Sequence, residues 1–279
     1  AGRAAAAPCG ASRLSVRCCG KECVMAGGGE GSGRGVARTV AEGGANGMWA
    51  DANEKTLMEE LGDTADEGNI RVFAGDLRQR LTIANLVSAT IDAYDEVDIL
   101  VNASRQVMPT DPLDVEDTSV EMLLQQNLMT ALQLSQQVAR RMMKQAEGQT
   151  EGQVGSIINL SSIAARANRP DLMGDSIASA AVQQMTRSLA LVLAPHRIRV
   201  NAISFGSVMS ASLRAAVAEN RDWREDIRAH TPLGRIAGPN ELCEAVQFLA
   251  AESSGFMTGE TMTIDGGRTL LDVVSAPAN

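Results

Sequence analysis

The residues best placed to do chemistry fall in two stretches. In Ala26-Gly27-Gly28-Gly29-Glu30-Gly31-Ser32-Gly33, the spacing of Gly27, Gly31 and Gly33 lets backbone, rather than side chain, meet a phosphate. A dinucleotide pyrophosphate requires that close approach and a helix N-terminus aimed at it. Asp51 follows about 20 residues past the turn, where an acid would accept hydrogen bonds from a ribose 2′-hydroxyl. The second stretch runs from Ser162 through Asp175 to Ser179 and combines a hydroxyl, a carboxylate and a second hydroxyl. Ser162, Asp175 and a histidine would make a hydrolytic triad, and His196 and His230 are the two histidines available. His196 falls where a surface turn is expected, while His230 lies in a segment able to approach the site. No G-x-S-x-G elbow surrounds Ser162, which argues against that reading.

The cysteines add no chemistry. Cys9, Cys18, Cys19 and Cys23 crowd the N-terminus and Cys243 stands apart. They form no paired C-x-x-C pattern and have no histidine beside them, so free thiols and no metal site are expected. An odd number suits a reducing compartment.

Elements that could position these residues alternate along the chain. Short apolar runs occur at Cys23–Ala26, Met48–Ala50, Ile70–Ala74, Ile99–Asn102, Ser156–Leu160, Ile198–Ile203 and Thr261–Ile264. Between them lie helical patterns at Arg34–Glu42, Leu81–Tyr94, Val120–Ala146, Ile177–Leu193 and Glu241–Ala251. Such alternation, with strands apolar on both faces, predicts an α/β fold: one doubly wound Rossmann-type domain with a parallel seven-stranded sheet and helices on both faces. The 44% hydrophobic content is enough for a full core. A net charge of −9 argues against nucleic acid as a partner. No run approaches the roughly 18 apolar residues of a transmembrane helix.

Taken in order, the motifs resemble the short-chain dehydrogenase/reductase family, most of all its β-ketoacyl-acyl carrier protein reductases, from about Glu22 to Gly267. Asp76-Leu77 resembles the adenine-contacting pair after the third strand. Asp98-Ile99-Leu100-Val101-Asn102 matches the start of D-I-L-V-N-N-A-G. Asn127 falls at the asparagine of the family's catalytic tetrad, and Ser162, ending Ser156-Ile157-Ile158-Asn159-Leu160-Ser161-Ser162, falls at the serine. Arg199-Val200-Asn201-Ala202-Ile203, Pro232-Leu233-Gly234-Arg235 and Ile264-Asp265-Gly266-Gly267 complete the match. The resemblance implies cofactor contacts from Gly27, Gly31, Gly33, Asp51, Asp76, Leu77, Asn102, Val208 and Ser210, with NAD as the cofactor. Asp51 and Glu30 would repel the 2′-phosphate of NADP.

The tetrad itself is incomplete. In such enzymes a tyrosine passes a proton to the substrate oxygen, and a lysine one helical turn later lowers its pKa. The family's gap from Ser162 lands on Asp175, in Asp175-Ser176-Ile177-Ala178-Ser179, where the pattern is Y-S-A-S-K. Asp175 thus stands for the tyrosine and Ser179 for the lysine. No shifted motif rescues the pair: Tyr94 is the sole tyrosine, and the lysines are Lys21, Lys55 and Lys144. A carboxylate stops roughly 3 Å short of a phenol oxygen, and proton transfer needs hydrogen-bond reach. Two loops depart as well. N-N-A-G reads Asn102-Ala103-Ser104-Arg105, with arginine where glycine lets the cofactor pass, and Phe205-Gly206 replaces the proline-glycine of the nicotinamide-side loop.

The chain is therefore expected to be a catalytically inactive relative, a structural or regulatory subunit of an organellar assembly or a homo-oligomer, in which NAD binding need not persist. The competing reading is an NAD-dependent oxidoreductase of the β-ketoacyl reductase type with an atypical site. Residues 1–21 are rich in alanine and arginine and contain no acid, the composition of an organelle transit peptide, so a plastid is favoured over a mitochondrion. Residues 22–279 form the domain. Pairing is expected through the helices that begin at Asn127 and near Asp175, using a small-residue face of Ala178, Ala181 and Val182.

Overall fold

A computed structural model describes residues 18–29, 31–61 and 70–272. Seven parallel strands form one sheet in the order β3-β2-β1-β4-β5-β6-β7. They are β1 (Glu22–Ala26), β2 (Asn46–Asp51), β3 (Ile70–Ala74), β4 (Ile99–Asn102), β5 (Gly155–Ser162), β6 (Ile198–Phe205) and β7 (Thr261–Ile264). The order reverses between β1 and β4, and at such a switch point the strand ends leave a crevice for ligands. Neighbouring strands end almost level, with Ala26 beside Ala50 and Asn102, and Ser162 beside Phe205. Every candidate residue that closes a strand therefore lies along one rim.

Alternation along the strands feeds two cores. Cys23, Met25, Ile99, Val101, Ile158 and Ile203 face α1 (Gly31–Glu42) and the C-terminal helix Pro239–Ala250. Val24, Ala26, Leu100, Ile157 and Val200 face the other side, against α3 (Arg80–Tyr94), α5 (Thr130–Gln145) and α6 (Met173–Leu193). With both faces covered, the strands must be apolar throughout, and that is why they read as runs.

Three helices escaped the sequence reading: α2 (Glu54–Leu61), α7 (Ala211–Glu219) and α8 (Asp222–Ala229). They are only eight or nine residues long, and α8 buries no residue, so none carries a periodic apolar stripe long enough to announce it. The helix expected over Val120–Ala146 is three pieces, α4 (Ser119–Leu123), a π-helical turn (Leu124–Met129) and α5. Pro239–Ala250 is α9.

Residues 1–17 lie outside the described residues, and with them most of the transit-peptide-like extension. Residues 18–21, assigned above to that extension, belong to the fold: the Cys18 and Gly20 amides donate to the carbonyls of Gly43 and Gly44. The cysteine reading also needs correction. Cys18, Cys23 and Cys243 are buried free thiols, but Cys19 is disulfide-bonded. Burial pushes the Cys18 thiol up to about 11, whereas Cys19 lies exposed on a turn where oxidation can reach it. The argument for a reducing compartment loses its basis. Among the described residues no helix is long and apolar enough to cross a membrane.

Candidate functional site

The glycine turn is built as the spacing requires. Gly27 has a φ of +84°, a conformation that favours glycine, and a Cβ there would sit 2.5 Å from the Ser104 amide nitrogen. A Cβ on Gly33 would collide with the Gly27 carbonyl oxygen. Helix α1 opens at Gly31, so its N-terminus follows the turn directly. Asp51 closes β2 and accepts from the Gly29 and Asn53 amides, both at 3.2 Å. Glu30 lies outside the described residues.

A polar cleft of about 250 Å³ opens beside the turn. Gly27, Asp51, Asp76 and Leu77 line it, together with Arg78, Ser104, Arg105 and Gln126. Arg78 went unnoticed in the sequence. Its guanidinium grips Asp76 with two bonds of 2.8 and 3.0 Å, and that bond holds the Asp76 carboxyl below its ordinary pKa.

Across the rim, the two substituted positions meet an arginine. Arg105, on the loop after β4, places Nη2 2.5 Å from Asp175 Oδ1 in the first turn of α6. Ser179 Oγ, one turn later, donates to the same oxygen at 3.4 Å. The guanidinium also lies over the Phe205 ring, 5.6 Å from its centroid, at the end of β6. Asp175 and Ser179 are each 3% exposed, so this is an interior ion pair. Three further contacts fix the loop. Gln126 donates to Ser104 Oγ at 2.8 Å, while Asn127 both accepts from the Gln106 amide and donates to its carbonyl, each at 2.8 Å. Asn127 occupies the π-helical turn, which breaks the helical ladder at the asparagine whose side chain clamps that loop.

Several other candidates turn away from the cleft. Asn102 donates to Ser135 Oγ and to Asn159 Oδ1, and Asn159 to Thr186, so its side chain joins a buried network behind the rim. Ser162 Oγ accepts from the Ala164 amide at 3.1 Å and caps a 3₁₀ turn. Val208 is buried and bridged to Ala237, and Ser210 Oγ caps α7 through the Leu213 amide. His230 is exposed and bonded to Asp226 on its own helix, and His196 sits on the exposed turn expected of it. Tyr94 donates to the Gly47 carbonyl under β2, where burial pushes its phenol up to about 12. No group of three or more potential metal ligands forms among the described residues.

A dinucleotide cofactor fits this rim in one half. The cradle at Gly27 and Gly33, which side chains would fill, and the Asp51 carboxylate suit an adenylate and its phosphates. The other half would have to lie between Asp175 and Phe205, where the Arg105 side chain already lies.

Comparisons with other proteins agree with the architecture. The family model described as enoyl-(acyl carrier protein) reductase matches residues 27–269. A short-chain dehydrogenase of Penicillium roqueforti, anuF, is 32% identical over 265 residues, covering 88% of this chain and 95% of that protein. Mouse L-fucose dehydrogenase is 30% identical, covering 91% and 90%. Among solved structures, a gluconate 5-dehydrogenase of Burkholderia cenocepacia in complex with NADP and tartrate superposes with a TM-score of 0.83 at 26% identity, covering 92% and 98%.

Proposed function

The chain belongs to the short-chain dehydrogenase/reductase family, a family of NAD(P)-dependent oxidoreductases, and from that premise we propose that it is a non-catalytic member. One observation carries the reading. The carboxylate at the family's tyrosine position is bound to a guanidinium from the opposite loop, with no lysine beside it. Reduction of a ketone needs a proton donor within reach of the carbonyl oxygen. Asp175 Oδ1 is already engaged by Arg105 and Ser179, and a carboxylate stops roughly 3 Å short of where a phenol oxygen would act. Ser179 supplies no positive charge to tune a neighbour.

What remains useful is surface and frame. We assign the chain a structural or regulatory role in an organellar protein assembly or a homo-oligomer, with the plastid favoured by the acid-free, arginine-bearing composition of residues 1–21. The expected face on α6 needs revision. Ala178 and Val182 are buried within the chain itself, Val182 in a small cluster with Met185 and with Ala131 of α5. Ile177, Leu191 and Val192 are the large apolar residues that α6 leaves exposed.

The competing reading, an oxidoreductase of the β-ketoacyl reductase type using NAD, is favoured by the named activities of the relatives and by the retention of Ser162 and Asn127 at the family's serine and asparagine positions. Steady-state assay of the purified protein with NADH or NADPH and ketone or β-ketoacyl substrates separates the two. Rates indistinguishable from the blank support the non-catalytic role.

A further inference from the structure

We infer that the cleft is a mononucleotide site, taking an adenosine diphosphate and excluding the nicotinamide half of a dinucleotide. The inference deepens the reading above and rests on the same closure by Arg105. A doubly wound sheet binds a dinucleotide across two halves, one on each side of the point where strand order reverses. Here the cleft draws its walls from the segments after β1, β2, β3 and β4, and from the π-helical turn beside them. The segments after β5, β6 and β7 contribute nothing to it.

The closure is built in and does not depend on one chosen rotamer. The loop carrying Arg105 is tied at Ser104 to Gln126, at Gln106 to Asn127 and at Arg105 itself to Asp175 and Phe205. Opening the second half would expose a carboxylate that is 3% exposed and leave it without its cation. The chemistry of the closing residue points the same way. Its bond to Asp175 uses one of five N–H groups, and Arg105 is among the residues that line the cleft. A terminal phosphate, with more charge and more free oxygens than a diester, suits that lining. The cationic ring of an oxidised nicotinamide does not. Asp51 then faces the ribose, and Asp76-Leu77 the base, as in the half that is retained.

Calorimetric titration of the whole chain with ADP, AMP, NAD and nicotinamide mononucleotide tests the inference. ADP is expected to bind at least tenfold more tightly than NAD, with no heat from nicotinamide mononucleotide. NAD binding as tightly as ADP, or no ADP binding at millimolar concentration, would overturn it. The double substitution Arg105→Gly, Asp175→Asn removes both charges together and is expected to raise NAD affinity to within threefold of that for ADP. An unchanged NAD affinity in a folded double variant would also count against it, and the wild-type ranking decides alone if that variant is insoluble. Nicotinamide-dependent turnover would sink the non-catalytic reading, whereas a wrong ranking without turnover sinks this inference only.

Discussion

Arg105 and Asp175 stand 70 positions apart in the chain and meet at 2.5 Å inside it. The contact joins two substitutions that the sequence presents as unrelated, one in the loop after β4 and one at the start of α6. Each explains the other. An arginine on that loop needs a counter-charge once buried, and an aspartate on α6 needs a cation.

Removing one partner should therefore be costly. Arg105→Ala leaves Asp175 as an uncompensated buried charge and is expected to destabilise the fold by about 3–5 kcal/mol. Adding Asp175→Ala should recover part of that loss, since the two side chains form one unit. Urea melts of both single variants and the double variant check this. Additive losses would mean the two residues do not interact.

Grafting the lost side chains should not revive chemistry. Asp175→Tyr with Ser179→Lys strands Arg105 without its carboxylate and sets an ammonium group close by, while Phe205 still shapes the far wall. No turnover is expected from that pair of changes. Displacements near 1 Å can cost on the order of 10²-fold in rate, so Arg105→Gly and Phe205→Pro would also be needed. Measurable reductase activity in the simple double variant would show that the pocket is intact.

Nucleotides with a free 2′-hydroxyl should bind in preference to those with a 2′-phosphate. Asp51 closes β2 beside the glycine turn and would face that phosphate. The one arginine lining this part of the cleft, Arg78, is already neutralised by Asp76. NAD is expected to raise the melting temperature more than NADP at equal concentration, and Asp51→Asn to narrow the gap. Equal stabilisation by the two in the wild-type protein would refute the role given to Asp51.

Much of this was legible in the chain. Strands buried on both faces announce themselves as apolar runs, so all seven were found, three with the observed ends and the others within two residues of them. The glycine turn and Asp51 were legible because backbone approach restricts which residues fit. Asn102, Val208 and Ser210 were read as cofactor contacts from motif position alone. Motif position does not say where a side chain points, and theirs are taken up by Asn159, the interior and the α7 cap. The pairing of Arg105 with Asp175 was not legible either, because it depends on how closely the β4 loop approaches α6 in space.

Self-association or a larger complex should appear at native mass. Leu191 is 80% exposed on the outer side of α6, and Ile177 lies two heptads before it on the same face. Leu191→Arg is expected to reduce the assembled fraction in sedimentation or native mass spectrometry. A monodisperse monomer for the unsubstituted protein, alone and in organelle extract, would contradict the assembly role.

The central claim is that no hydride leaves or reaches a nicotinamide on this protein. Transfer of deuterium from 4-deuterated NADH and NADPH into ketone and β-ketoacyl thioester substrates, read by mass spectrometry over long incubation, tests it most directly. The account predicts label in the alcohol products no higher than in protein-free controls. Label appearing at a rate within tenfold of an active relative assayed alongside would contradict it.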